Sequence, residues 1–140
     1  MVGILIISGI GMILVLATDF GGVYYYGYVQ VWYYINILSF PYNIALFLVV
    51  LFFLFTLLHS ILYFLKHPKA FEKKMFQLGL IFSFITLLMA IIGLIALMIE
   101  GLTAEDWWVD TSFYSTLIGG LLNFLLYFFM RNSTITQQNQ

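Results

Sequence analysis

Cysteine is missing from all 140 residues, which excludes disulfides, thiolate metal sites, cysteine nucleophiles and iron–sulfur ligation together. Charge is scarce: 8% of residues are charged and 64% are hydrophobic, whereas a soluble domain carries about 25% charged residues. The balance is that of a membrane protein. No basic patch stands apart from the expected lipid headgroup zone, so nothing points to nucleic acid. Nor does any long apolar run contain a carboxylate, the group on which ion- and proton-driven transporters usually depend. The net charge of -1 says little as a sum.

Its distribution says more. All five basic residues (Lys66, Lys69, Lys73, Lys74 and Arg131) fall in two short segments, and five of the six acids (Asp19, Glu100, Glu105, Asp106 and Asp110) fall in two others. Long apolar runs separate these segments. If the basic segments face the cytoplasm, as loop Lys and Arg generally do, every loop takes a consistent side. The expected fold is an all-α membrane protein, a bundle of four transmembrane helices in a single domain. The spans are read at about 2–18, 43–65, 76–99 and 112–130. Outer loops then cover 19–42 and 100–111, a cytoplasmic loop covers 66–75, and both termini are cytoplasmic in the cell membrane.

The first run is about 25 Å long as a helix and short for a hydrocarbon core of about 30 Å. A signal peptide cleaved after Ala17 is the rival reading, but no basic n-region precedes it, and a retained span is expected. Lys66 and Pro68 stop the second run, Glu100 and Gly101 the third, and Arg131 the fourth. Tyr42, Trp107, Trp108 and Tyr114 are placed in an outer aromatic belt, Tyr63 and Tyr127 in an inner one. Residues 131–140 are polar and aperiodic and are read as a disordered tail. Asn132-Ser133-Thr134 is a formal glycosylation acceptor, which a cytoplasmic side would leave unused.

Small and hydroxylated residues recur on the third span at Gly79, Ser83, Thr86, Ala90 and Gly93, spaced four, three, four, three. Bulky Leu80, Phe84, Leu87, Ile91, Leu94 and Met98 occupy the other side. Ser112, Thr116, Gly119 and Asn123 repeat the device on the fourth span, and Ser8, Gly9 and Gly11 offer a third place for close contact. In lipid, helices associate through close backbone approach, so these stripes are read as packing seams within the chain or between copies. Asn123 lies near mid-membrane and needs a hydrogen bond from a neighbouring helix.

Thr56, His59, Ser60 and Tyr63 share one face of the second span. His59 is the one side chain within any span that titrates near neutral pH. A neutral imidazole bonded to a neighbouring helix is the plain reading, and a proton relay or a haem ligand the sharper ones. Paired-histidine haem would require a second axial histidine from another chain, so no cofactor is assigned.

The stretch from Asp19 to Pro41 is aromatic and β-branched, which favours strand. Taken as one strand, Val23, Tyr25, Val29 and Val31 share a face, and Tyr24, Tyr26, Tyr28, Gln30, Trp32 and Tyr34 share the other. Its length suits a short hairpin turning near Gly27, with Gly21 and Gly22 letting the chain leave the first span sharply. Tyr24, Tyr26, Tyr28, Trp32 and Tyr34 are the candidate docking residues, facing headgroups or a partner protein. The acids nearby lack the ligand order of an EF-hand and read as a solvated rim.

This layout, a longer strand-forming first outer loop, a shorter second one and internal termini, resembles the claudin and peripheral-myelin tetraspan architecture. The resemblance implies an adhesion or scaffold role. The Trp, Gly-Leu-Trp and paired-cysteine signature of those families is absent here, so no functional residue carries over. No residue set amounts to an active site, and the chain is not expected to be an enzyme. The expected function is association: an accessory subunit of a membrane complex, or a self-assembling unit, whose partners are the bilayer and other membrane subunits or further copies. An oligomeric channel or transporter-like component, with a pore lined by Thr56, Ser60, Ser83, Thr86 or Asn123, is the alternative.

Overall fold

A computed structural model describes residues 1–32, 42–66 and 69–138. The elements run α1 (Val2–Ala17), β1 (Gly21–Tyr25), β2 (Tyr28–Trp32), α2 (Tyr42–Lys66), α3 (Lys69–Gly101), β3 (Asp106–Val109) and α4 (Thr111–Gln138). The docking candidate Tyr34 lies outside the described residues.

Each helix packs against the next, α1 on α2, α2 on α3, α3 on α4, and α4 closes the ring on α1. Buried positions recur every three or four residues, along one face of each helix: Ile4, Ser8, Gly11 and Val15 on α1; Val49, Phe53, Thr56 and Ser60 on α2; Phe76, Gly79, Ser83, Thr86, Ala90, Gly93 and Leu97 on α3; Ser112, Thr116, Gly119, Asn123 and Tyr127 on α4. Polarity is inverted. Serine, threonine, asparagine and glycine occupy much of the inside, while Ile6, Ile13, Leu58, Ile81, Ile95, Leu121 and Phe129 are exposed. Three helices are long and apolar enough to cross a membrane, over Phe47–Leu65, Lys74–Gly101 and Thr111–Asn132, and α1 is a shorter apolar helix.

Two boundaries differ from the sequence reading. The segment 66–75, expected as a loop, is helical through Lys66 and again from Lys69, because Lys, Ala, Glu and Met sustain a helix well. Residues 131–138, expected to be disordered, extend α4. Once a helix is formed, each added residue gains a hydrogen bond without a new nucleation cost, and neither Gly nor Pro interrupts this stretch.

A three-stranded antiparallel sheet, ordered β2-β1-β3, caps the end of the bundle where α1 and α3 finish and α4 begins. β1 and β2 form the expected hairpin, and Gly27 supplies the left-handed turn residue with φ of 96°. β3 was not anticipated. Its Trp107, Trp108 and Val109 are strong strand formers, and they pair with Val23, Gly22 and Gly21.

The two-residue turn also overturns the expected strand faces. Val23 pairs with Gln30 and Tyr25 with Tyr28, so odd residues of β1 share a face with even residues of β2. Val23 is fully buried in the cluster of Val15, Phe20, Phe53, Leu97 and Phe113, whereas Val29 is exposed.

Candidate functional site

Gly79, Ser83, Thr86, Ala90, Gly93, Ser112, Thr116, Gly119 and Asn123 are all buried within the chain itself. A Cβ on Gly79 would come within 2.4 Å of the Tyr127 ring, and one on Gly119 within 3.0 Å of Phe53, whose ring also fills the space beside Gly11. Phe53 of α2 is thus wedged between α1 and α4, and Tyr127 of α4 lies on α3. Gly120, outside the stripe, receives Leu87 and Thr86, so Leu87 is a contact between α3 and α4 and not part of a spare outer face.

Most hydroxyls inside are consumed by their own helix. Ser60 donates to the Thr56 carbonyl, Ser83 to Gly79, Thr86 to Phe82 and Thr116 to Ser112, at 2.7–3.0 Å. Asn123, Ser8 and Thr56 instead join three helices. Asn123 Nδ2 donates to Ser8 Oγ at 3.0 Å, and Ser8 Oγ lies 2.8 Å from Thr56 Oγ1. Thr56 spends its one proton on the Phe53 carbonyl at 2.9 Å. Ser8 must therefore donate to Thr56, and the amide of Asn123 must present its NH₂ to Ser8. The result is a directed chain from α4 through α1 to α2. Asn123 Oδ1 meets no donor among the described residues.

His59 Nδ1 lies 2.7 Å from the Tyr127 hydroxyl, and the two rings stack with centroids 5.4 Å apart. Phe55 and Phe76 flank the imidazole at 6.3 and 5.9 Å. Tyr127 is 0% exposed, so its placement in an aromatic belt is corrected: it is a core residue bridging α4 to α2 across the bundle. The spacing alone did not give it, since the steps of four, three and four from Ser112 through Thr116, Gly119 and Asn123 lead next to Leu126, and Tyr127 follows Asn123 by a second step of four. No three His, Asp or Glu side chains converge as a metal site among the described residues.

The sheet presents the second feature. Tyr26 is 88% exposed, Tyr28 58% and Tyr24 39%; Trp32 ends β2. Beneath them the sheet is fixed. A Cβ on Gly22 would fall 2.5 Å from the Trp108 ring and one on Gly21 2.3 Å from the Trp108 carbonyl, so both glycines serve close strand and ring contact and not a sharp exit from α1. Tyr25 stacks on Tyr28 at 5.1 Å, and its hydroxyl donates to Glu100 Oε1 at 3.4 Å. Glu105 N donates to the Tyr24 carbonyl at 2.9 Å and Asp110 N to that of Phe20 at 2.9 Å, while Ser112 Oγ donates to the Asp19 carbonyl. The sequence reading missed Tyr25 and Trp108 as the parts that make this surface rigid.

Asp19, Glu100, Glu105, Asp106 and Asp110 all belong to the sheet end. Lys66, Lys69, Lys73, Lys74 and Arg131 lie toward the other ends of α2, α3 and α4. Comparison with protein-family models, with curated proteins and with solved structures yields no match.

Proposed function

We propose that this chain is a non-catalytic, multi-pass membrane protein that acts by association, its four helices embedded in the bilayer and its tyrosine-bearing sheet docking a partner subunit. The inverted polarity supports the first half. In water, so many exposed Ile, Leu and Phe side chains would drive aggregation, while in lipid they cost nothing and the buried hydroxyls need only local acceptors. Thr111 to Arg131 spans about 30 Å along α4, the thickness of a hydrocarbon core, and puts the acidic and basic groups at opposite surfaces. The basic end is then cytoplasmic, with both chain ends there and the sheet outside.

The observation that carries the association reading is the exposure of Tyr24, Tyr26 and Tyr28 on a sheet that is otherwise pinned to α3 and α4. Rigid, amphipathic tyrosines bind with little loss of side-chain freedom and are enriched in interfaces. Self-assembly through the glycine and serine stripes has less support, because those residues already face this chain's own interior. A pore lined by Ser60, Ser83 or Thr86 has less support for a related reason: their hydroxyls are committed to backbone carbonyls.

The test is intact-complex mass of the native protein in mild detergent, with every co-purifying chain identified. Other defined subunits are expected, and Tyr24, Tyr26 and Tyr28 changed together to Ser should release them while helical content stays unchanged. A bare monomer in native membranes, or complexes indifferent to the triple change, would overturn the docking reading.

A further inference from the structure

Strand β2 is an open edge. In the order β2-β1-β3 it has β1 on one side, and no strand lies on the other among the described residues. Tyr24 turns its carbonyl away from β2 and accepts from Glu105 N at 2.9 Å, and Val29 is its register partner across the hairpin. Backbone groups alternate in direction along an antiparallel strand, so Val29 and Val31 turn their N–H and C=O outward, away from β1. Those groups have no partner among the described residues.

Nothing in the strand guards this edge. Tyr28–Trp32 reads Tyr-Val-Gln-Val-Trp, without a charge or a proline, and its register with β1 runs unbroken by a bulge. Val29 is exposed, and β1 and β3, not β2, carry the packing of the sheet on α3 and α4. Acyl chains cannot cover such an edge, because they offer its N–H groups no acceptor.

We infer that β2 pairs with β2 of a second copy, antiparallel about Gln30, joining the two sheets into one. The outward groups set the register. They must meet outward groups, and a centre at Gln30 lets Val29 of each copy exchange both main-chain hydrogen bonds with Val31 of the other. A centre at Val29 would draw the Gly27 turn into the pairing, and one at Val31 would require residues past the end of β2. No like charges meet, since the strand has none. The symmetry also suits a membrane. Val23 points from the sheet into the bundle core, so an axis normal to the sheet runs broadly along the helices. A two-fold rotation about that axis leaves both copies upright in one bilayer, with the same patch used by each. The inference rests on the membrane reading, not on docking of a different subunit through the tyrosines.

The cysteine-free chain allows the contact to be trapped. Residues facing each other at a non-hydrogen-bonded antiparallel position have Cα atoms about 4.5 Å apart, within disulfide reach. Gln30→Cys, reconstituted in liposomes and oxidised with copper phenanthroline, should give a covalent dimer, and Tyr26→Cys should not, because the register sets its two copies about 27 Å apart. Adding Val29→Pro to Gln30→Cys removes an outward N–H from each copy, leaves the bonds to β1 in place, and should cut the dimer about tenfold. Val29→Lys, a charge on the edge, should act in the same direction and serves if the proline lowers amide-exchange protection at Tyr24. Native membranes should yield the same homodimer. Equal cross-linking at both cysteine positions, no dimer from inserted Gln30→Cys, a dimer indifferent to both Val29 variants, or a mixed disulfide with another chain in its place would each overturn the inference. Failure to insert into liposomes at all would sink the membrane reading beneath it.

Discussion

Asn123 is 1% exposed and spans two helices through one donor. In lipid such bonds contribute roughly 0.5–2 kcal/mol, because the unfolded chain in the membrane also finds partners. A double-mutant cycle of Ser8→Ala and Asn123→Ala, read by reversible unfolding in bicelles, should give a coupling in that range, and zero coupling would dissolve the directed chain. Gly79 operates on a larger scale. With the Tyr127 ring 2.4 Å from where its Cβ would stand, Gly79→Leu should cost about 3 kcal/mol or more, or prevent folding, whereas Leu87→Ala should destabilise less. Thermal unfolding of the two variants in detergent ranks them, and equal losses would contradict the packing assigned to Gly79. The spacing of three and four disclosed which residues share a face. It did not disclose which ring each glycine receives, since that depends on the rotation of the neighbouring helices. Tyr127 was misplaced because a tyrosine near a span's end satisfies a belt and a core equally well by sequence alone.

The hairpin was legible because Gly27 interrupts a run of strand formers. Its faces were not, since a two-residue turn changes which alternate residues lie together, and turn length cannot be read from the run. β3 went unread because four residues between acids carry too little pattern, although Trp107, Trp108 and Val109 were a usable signal. The sheet now depends on contacts made by absent side chains. Gly22→Val would drive a β-branched group into the Trp108 ring and the Gln30 carbonyl, 2.5 and 2.8 Å from the Cβ position. Loss of amide-exchange protection at Tyr24, Gln30 and Glu105 is expected, with the helices still protected. Gly27→Ala should be milder, about 1–2 kcal/mol for the left-handed conformation, as no atom lies within 4 Å of its Cβ position. Protection unchanged by Gly22→Val would mean that the sheet does not need that glycine.

Across the whole molecule, composition foretold an apolar surface, and charge order foretold which loops share an end. The geometry adds that much of the interior is polar and that its hydroxyls are mostly satisfied within their own helices, which supports the proposal of a bundle embedded in lipid. Function was the least legible, because neither a motif nor a match supplies it and a docking surface is defined by exposure, which sequence does not give. The central claim is that the inverted bundle crosses the bilayer with its sheet on the opposite side from the basic end. The absence of cysteine makes a direct measurement possible: Tyr26→Cys and Asn132→Cys, each the sole thiol, treated with a membrane-impermeant maleimide in intact cells. Labelling of Tyr26→Cys from outside, with Asn132→Cys protected until the membrane is opened, is the predicted result. Labelling of both from the same side, or of Asn132→Cys alone from outside, would contradict it.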